Sequence, residues 1–131
     1  MPSRKDLDLL VLLSERTLIG RLSWARTERG SFQTIVSGYG IELSRSIADE
    51  YAEDEPVYDY FVIFYNEHGE PVETMIDTEF REFSEEVNVY LLLKDLYDQA
   101  HRSAVGTDRI LNEIYTALAS EVSTDSGEVD R

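Results

Sequence analysis

The sequence has no cysteine, only three prolines and only two histidines in 131 residues. Without cysteine the chain has no disulfide bond, no thiolate nucleophile and no zinc site built on cysteine. The two histidines, His68 and His101, lie too far apart in the sequence for a paired metal-ligand motif. Every apolar stretch is much shorter than the roughly 20 residues that a membrane-spanning helix needs. These absences argue against the best-defined metal, redox and membrane-spanning classes.

The composition that remains is that of a folded domain. Hydrophobic residues make up 42% of the chain and aromatic residues 11%, which is typical of a globular protein. A chain of this length buries roughly two-thirds of the surface that its unfolded form exposes. We therefore predict a single domain over residues 1–119 and a disordered polar tail over residues 120–131. The lack of cysteine fits a reducing cytoplasm, which is the location we expect.

Basic residues are almost absent between residues 49 and 86, where fourteen acids accompany one base, Arg81. Residues 1–48 have a net charge of +2 and residues 87–131 one of −4, so most of the chain's charge of −15 lies in the middle. Such a block repels nucleic acid and anionic membranes and favours a basic partner. A salt-adapted protein would spread its acids over the whole surface. We therefore favour an interaction surface, and expect neither nucleic acid nor a membrane as partner.

The first half of the chain is predicted to form a helix followed by strands. Residues 4–19 have a broad apolar face at helical spacing. The apolar run within them is short and interrupted by Asp8, which favours a helix over a signal peptide. Alternating or β-branched segments and the turns between them predict strands at residues 21–26, 32–36 and 39–46, followed by a loop at residues 47–56.

The strongest strand prediction is Val57–Tyr65, which is β-branched and aromatic on both faces. Such a strand is expected at the centre of a sheet and covered on both sides. A hairpin loop at residues 66–69 leads to another strand at residues 71–78. Short turns between the strands exclude parallel crossovers, so the sheet is an antiparallel meander of about five strands.

Two helices are predicted after the sheet. Ser84 is a suitable N-cap for a helix that ends near Val105, because two acids follow it in the first turn. Gly106 ends this helix, and a shorter one begins at Asp108. The fold class is therefore α+β, with an N-terminal helix, the meander sheet and two C-terminal helices packed on it. The residues of the long helix expected to face the sheet are Tyr90, Leu93, Tyr97, Ala100 and Ala104.

Three segments together resemble a type of small bacterial α+β protein without an assigned activity. The first is Gly20-Arg21-Leu22-Ser23-Trp24, after the first helix. The second is the Tyr-Asn-Glu-x-Gly hairpin at residues 65–69, and the third is the end of the long helix at residues 96–106. The resemblance implies the same fold class and carries no activity to this chain.

No group of residues has the spacing of a catalytic or metal site. The acids at residues 49–55 lack the alternating oxygens and the glycine of a calcium loop. Carboxylate pairs such as Glu50 with Glu53 need burial to separate their pKa values, which a solvated loop does not provide. Gly38-Tyr39-Gly40 lacks the lysine and the helix of a phosphate loop. We therefore predict no catalytic, cofactor-binding or metal-binding residue.

The residues we predict to bind a partner lie in and beside the loop that precedes Val57. Tyrosine supplies rigid contact area and a hydroxyl group, while acids select basic partners. The alternative interpretation is that Tyr58, Tyr60 and Tyr65 merely complete the sheet and that the acids keep the chain solvated; the two interpretations carry about equal weight. The predicted partner-binding residues are Glu50, Tyr51, Glu53, Asp54, Glu55 and Tyr58.

Two classes of function are compatible with the sequence. The first is a non-enzymatic acidic interaction module of the bacterial cytoplasm. It would act as an inhibitor or antidote of a basic protein, as a mimic of DNA, or as an adaptor that self-associates. The second is a small-ligand-binding domain or small enzyme with a site between sheet and helices. That site would require Glu42, Glu73 or Asp77 to point inward.

Overall fold

The computed structural model describes the backbone of residues 2–49 and 56–125, and the side chains of these residues except at positions 49, 108 and 121–125. Helix α1, Arg4–Leu18, begins where Ser3 and Asp6 cap each other. The Asp6 amide donates to the Ser3 hydroxyl at 3.2 Å, and the Ser3 amide donates to the Asp6 carboxylate at 2.9 Å. This reciprocal capping fixes the first turn of the helix.

The five strands form one antiparallel sheet in which each strand pairs with the next along the chain. The α+β fold class and the meander are thereby confirmed. Connections of two and five residues, each with a glycine at positive φ, join β2 to β3 and β4 to β5, as antiparallel neighbours allow. The strands are β1 (Ala25–Arg26), β2 (Phe32–Val36), β3 (Tyr39–Asp49), β4 (Val57–Tyr65) and β5 (Pro71–Ile76).

One face of the sheet is covered by helices and forms the core. A row of paired residues across four strands, from Phe32 through Leu43 and Val62 to Met75, is buried on this face. Helix α2, Val89–Val105, packs on it, and the ring of Tyr97 lies 5.1 Å from that of Phe32. Helix α1 packs beside α2 and adds to the same core its buried residues Leu7, Leu10 and Leu13.

The opposite face of the sheet, which we call the open face, remains accessible. Ile35 on β2 and Val72 on β5 are 66% and 61% exposed there. Phe61 and Ile63 of β4 are half-buried on the same face, because neighbouring strands shield them. β4 is therefore covered on the helix side and only partly covered on the open face, whereas nearly complete cover on both sides was predicted. β4 is also not the middle strand, since that place belongs to β3.

Several predicted boundaries in the first half differ from the structure. β1 contains only two of the six residues predicted for it. β3 continues to Asp49, three residues into the predicted loop, because Ile47 and Asp49 still pair with β4 across a bulge. Leu18, predicted on the apolar face of α1, is 67% exposed, and Thr17 is buried in its place. The Thr17 hydroxyl accepts a hydrogen bond from the indole of Trp24 at 3.0 Å.

The start of the long helix was predicted wrongly. Residues 77–83 form a 3₁₀ helix, η1, and Ser84 follows its end. Helix α2 begins instead after Asn88, whose side-chain oxygen accepts a hydrogen bond from the Leu91 amide at 3.1 Å. Both Ser84 and Asn88 are good N-caps, and the sequence alone does not decide between them. The structure selects Asn88 because Val89 is then buried in the core.

Helix α3, Thr107–Asp125, follows Gly106. Gly106 has a φ of +73° and ends α2 in the left-handed conformation that glycine adopts readily. α3 contacts α2, whereas every described side chain from Arg109 to Ser120 is exposed. The helix also extends through the first residues of the predicted polar tail. Residues 126–131 lie outside the described part of the chain.

Replacing Leu93 with Ala is expected to lower the free energy of unfolding by about 2–5 kcal/mol, because the side chain is fully buried between α2 and the sheet. Urea denaturation measures the change. The matched control is Leu91→Ala on the same helix, where the side chain is 51% exposed and the expected change is within about 0.5 kcal/mol. Equal effects of the two substitutions would show that α2 does not use this face.

Candidate functional site

Most of the predicted partner-binding residues lie outside the described part of the chain. These are Glu50, Tyr51, Glu53, Asp54 and Glu55, and their role stays a prediction. Tyr58 is described and half-buried, at the start of β4 on the face that the helices cover. Of the other two tyrosines on this strand, Tyr60 is buried in the core and Tyr65 is half-buried on the open face.

Tyr58 belongs to a cluster in which tyrosine rings hold a cation. The guanidinium of Arg45 lies 3.9 Å from the centre of the Tyr58 ring and 4.3 Å from that of Tyr97. Burial raises the pKa of Tyr60, and a hydrogen bond with Arg45 partly opposes this rise. Cation–π contacts of this kind stabilise a partly desolvated arginine. The cluster joins β3, β4 and α2.

A second polar cluster lies on the open face around Glu42, which is only 3% exposed. The hydroxyl of Tyr65 donates to Glu42 Oε1 at 2.5 Å. Arg29 donates to Oε2 at 2.8 Å, and the hydroxyl of Ser31 donates to the same oxygen. The donors come from the turn before β2 and from the end of β4, so the carboxylate on β3 joins three parts of the sheet.

Gly40 makes this geometry attainable. It sits two residues before Glu42 on the same face of β3 and pairs directly with Tyr65. A side chain at position 40 would meet the Tyr65 Cβ at 3.4 Å and its ring at 3.7 Å. Because glycine leaves this space free, the Tyr65 ring lies across β3 and reaches Glu42. The role of Gly40 is thus to provide room, since its φ is not positive.

The hydrogen bonds decide the charge of Glu42. Burial opposes ionisation and acts to raise the pKa of Glu42, but the donors Ser31, Tyr65 and Arg29 together outweigh it, so the pKa lies below its ordinary value of 4.5. The same contact raises the pKa of Tyr65, because ionising the phenol would remove its hydrogen bond to the carboxylate. At neutral pH the cluster is therefore an ionised glutamate with neutral Tyr65 and cationic Arg29.

This cluster is suited to holding the sheet together and poorly suited to catalysis. Both carboxylate oxygens of Glu42 accept hydrogen bonds, and a carboxylate with a lowered pKa is a weak general base. A buried ionised group must be paired in this way to be tolerated. The sequence did not predict this cluster. Its one signal is an acid, Glu42, between the apolar neighbours Ile41 and Leu43 in the middle of a strand.

Asp77 is the other buried acid in the described residues, and it too has a structural role. Its Oδ1 accepts a hydrogen bond from the Tyr60 amide at 2.9 Å. β5 ends opposite Phe61, so no carbonyl of β5 lies opposite the Tyr60 amide. The carboxylate of Asp77 accepts the hydrogen bond in its place. Burial raises the pKa of Asp77, and the Tyr60 amide opposes this rise.

The acids of β5 and η1 line a groove at the outer edge of the sheet, which we call the acidic groove. Its volume is about 490 Å³. Asp6 from the first turn of α1 forms one wall, and β5 and η1 form the rest. No ion pair involves Glu73, Glu79 or Glu82 among the residues that the structure describes. The charged lining residues are Asp6, Glu73, Glu79, Arg81 and Glu82.

Three arginines of the first half lie at the other edge of the sheet. Arg21, Arg26 and Arg29 are exposed on and beside β1, which is four strands away from β5. Four interstrand spacings amount to roughly 19 Å, more than two Debye lengths at physiological salt. These arginines and the acids of the groove therefore lie at opposite edges of the sheet.

No group of three or more histidine, aspartate or glutamate side chains in the described residues is arranged to hold a metal ion. None of the described helices is long and apolar enough to cross a membrane. His68 and His101 are both exposed, and the His101 ring contacts Phe32 edge-on at 5.7 Å.

Comparison of the chain with protein-family models, with curated proteins and with solved structures finds no match. The resemblance to small bacterial α+β proteins thus stays an expectation from the sequence.

Replacing Glu42 with Gln is expected to lower the free energy of unfolding at pH 7 by about 1–3 kcal/mol, because buried donors lose an ionised acceptor. The pKa of Glu42 is lower in the folded state than the ordinary 4.5. Its stabilisation is therefore complete above that value and is lost as the pH falls through the lowered folded pKa. The difference between wild type and variant should shrink progressively in urea titrations below about pH 5.

The control for this titration is Glu28→Gln, which removes an exposed carboxylate from the neighbouring turn. Its stability should run parallel to that of the wild type at every pH. A Glu42→Gln deficit that is the same at low and neutral pH would show that Glu42 acts through its shape and not through its charge.

Proposed function

We propose that this protein is a non-enzymatic interaction module of the bacterial cytoplasm that binds a basic partner protein through the acidic groove. The observation that carries the proposal is the placement of the acids. Those of β5 and η1 line one concave surface, and Glu73, Glu79 and Glu82 have no ion-pair partner among the described residues. Unpaired surface acids held close together repel one another, and a cationic partner relieves that repulsion.

The shape of the groove suits a lysine or arginine side chain of the partner. Half-buried Pro2 lies in its lining and, with the small accessible part of Met75, contributes an apolar surface for the aliphatic stem of such a side chain. The carboxylates around it then receive the charged end. Arg81 is the one base in the lining, so the groove keeps a net negative charge. Surfaces of this kind raise association rates and select partners by charge.

The predicted loop residues would extend this surface. Residues 50–55 connect β3 to β4 along the chain, and the described start of β4 lies at the end of the sheet where β5 ends and η1 begins. The acids and Tyr51 of that loop are thus expected to enlarge the contact, with Tyr51 as an aromatic anchor. An inhibitor or antidote of a basic protein, and a mimic of DNA, would both use such a surface.

The alternative function, a small-ligand or catalytic site between sheet and helices, has less support. That function required Glu42, Glu73 or Asp77 to point into the space between the sheet and the helices. Glu42 is buried on the open face with both oxygens occupied. Asp77 accepts a hydrogen bond from the Tyr60 amide. Glu73 lines the acidic groove at the edge of the sheet.

Neutralising the groove should weaken capture of the partner. In a low-salt pull-down from an extract of the native host, the variant Glu73→Gln, Glu79→Gln, Glu82→Gln is expected to recover the partner roughly tenfold less than wild type, because it loses electrostatic attraction. High salt should release the partner from wild type. The stability of the fold should not fall, since the three side chains are exposed.

The matched control is Glu28→Gln, Asp95→Asn, Asp98→Asn, which removes the same number of charges from exposed positions outside the groove. It should recover the partner like wild type. Equal recovery by both triple variants would show that net charge alone, and not the groove, governs any interaction.

A further inference from the structure

Helix α3 carries an apolar stripe that the described domain leaves uncovered. Its members are spaced by one, three or four residues and occupy about 140° of the helix circumference at 3.6 residues per turn. Between 42% and 73% of each of these residues is exposed. The opposite side of the helix carries Arg109, Asn112, Glu113 and Thr116. The residues of the α3 stripe are Ile110, Leu111, Ile114, Tyr115 and Leu118.

An apolar stripe of this kind indicates a missing contact. Most helices in proteins owe their stability to tertiary packing of an apolar face and not to helix propensity alone, and every described side chain of α3 from Arg109 to Ser120 is exposed. α3 is separated from α2 by the left-handed Gly106. A contiguous exposed apolar patch on a folded protein typically marks a binding surface.

The stripe is complementary to itself. Leu111 and Leu118 are equally distant from the midpoint between Ile114 and Tyr115. If two copies of α3 cross antiparallel at this midpoint, Leu111 of each copy faces Leu118 of the other. A twofold axis requires this exchange, in which residue i contacts residue j and j contacts i.

The distribution of charge allows two copies of the chain to meet at the α3 stripe. Two chains of net charge −15 repel each other unless their acidic surfaces stay apart. α3 begins at the end of α2 that contacts β1, where the Trp24 amide donates to Ser103 at 2.9 Å. The acidic groove lies at the opposite edge of the sheet. None of the five residues of the α3 stripe is charged, so contact there brings apolar surface together.

The area of the α3 stripe limits the affinity expected for a dimer. A helix of 19 residues is about 28 Å long and about 10 Å wide. The strip it offers is smaller than the roughly 800 Å² per partner of a standard interface. A dimer held by α3 alone should therefore dissociate on dilution through the micromolar range.

We propose that α3 is a dimerisation helix, which pairs antiparallel with α3 of a second copy of this chain through the α3 stripe. The proposal does not depend on the acidic groove or on the function proposed for it. The resulting dimer would present two acidic grooves, each remote from the twofold axis.

Sedimentation velocity of the full chain from about 1 to about 100 μM tests the proposal. Wild type should shift from monomer to dimer. The variant Leu111→Glu, Leu118→Glu should bind itself at least tenfold more weakly, while the fluorescence of buried Trp24 shows that the domain is folded. The matched control Asn112→Glu, Thr116→Glu adds the same charge to the polar side of α3 and should dimerise like wild type. A wild type that is monomeric throughout, or a stripe variant that still dimerises, would overturn the proposal.

Single cysteines test the antiparallel geometry, because the natural chain has none. Ile114→Cys should cross-link to itself on mild oxidation, since position 114 lies beside the expected axis. Leu111→Cys and Leu118→Cys should form a disulfide when mixed with each other and not when each is alone. Efficient self-cross-linking of Leu118→Cys would indicate parallel helices and refute the arrangement.

Discussion

Helix α2 packs on one face of the sheet through a connected series of aromatic contacts. Ring centres are 5.1 to 5.8 Å apart in the four described pairs that join α2 to the strands, one of which is the His101–Phe32 pair. Large aromatic residues bury much apolar surface and favour these tilted and edge-on geometries. The contact fixes which face of every strand is inside. It joins Phe32 of β2 and Tyr60 of β4 to Tyr90 and Tyr97 of α2.

The organisation of the open face follows from this one-sided packing. Because no described helix packs there, the middle strand must satisfy its own buried acid with neighbouring side chains. Glu42 does so with Arg29, Ser31 and Tyr65, and Gly40 provides the space. The two edges of the sheet carry different charged residues, with arginines beside β1 and acids along β5 and η1. The acidic groove and α3 are the two surfaces for which we propose interactions, and both are supported by the common core.

Local patterns were sufficient for much of the fold. The bounds of β2 and β4 agree with the prediction, because each strand is a β-branched and aromatic run between clear turns. Gly106 was correctly placed at the end of α2. Ser84 was wrongly predicted to begin α2, because a serine followed by two acids also suits the turn after a 3₁₀ helix. Core packing at Val89 decides that boundary, and packing is not visible in a local window.

The sites were less predictable than the elements. Glu42 becomes notable only once the register places Tyr65 and Arg29 beside it, since its three donors are 11 to 23 residues away in the chain. The acidic block was evident from composition, but the gathering of Glu73, Glu79 and Glu82 around one groove was not. The exposure of the α3 stripe depends on where Gly106 directs the chain, which is a property of the whole fold.

Hydrogen–deuterium exchange on the full chain tests most directly the claim that α2 and the sheet form the core and that α3 lies outside it. Exchange should be slowest in α2, β3 and β4, where buried residues concentrate. In α3 it should be fast in dilute protein and slow down as the concentration rises. Exchange in α3 that is as slow as in α2 in dilute, monomeric protein would contradict this account, because it would place α3 within the core of a single chain.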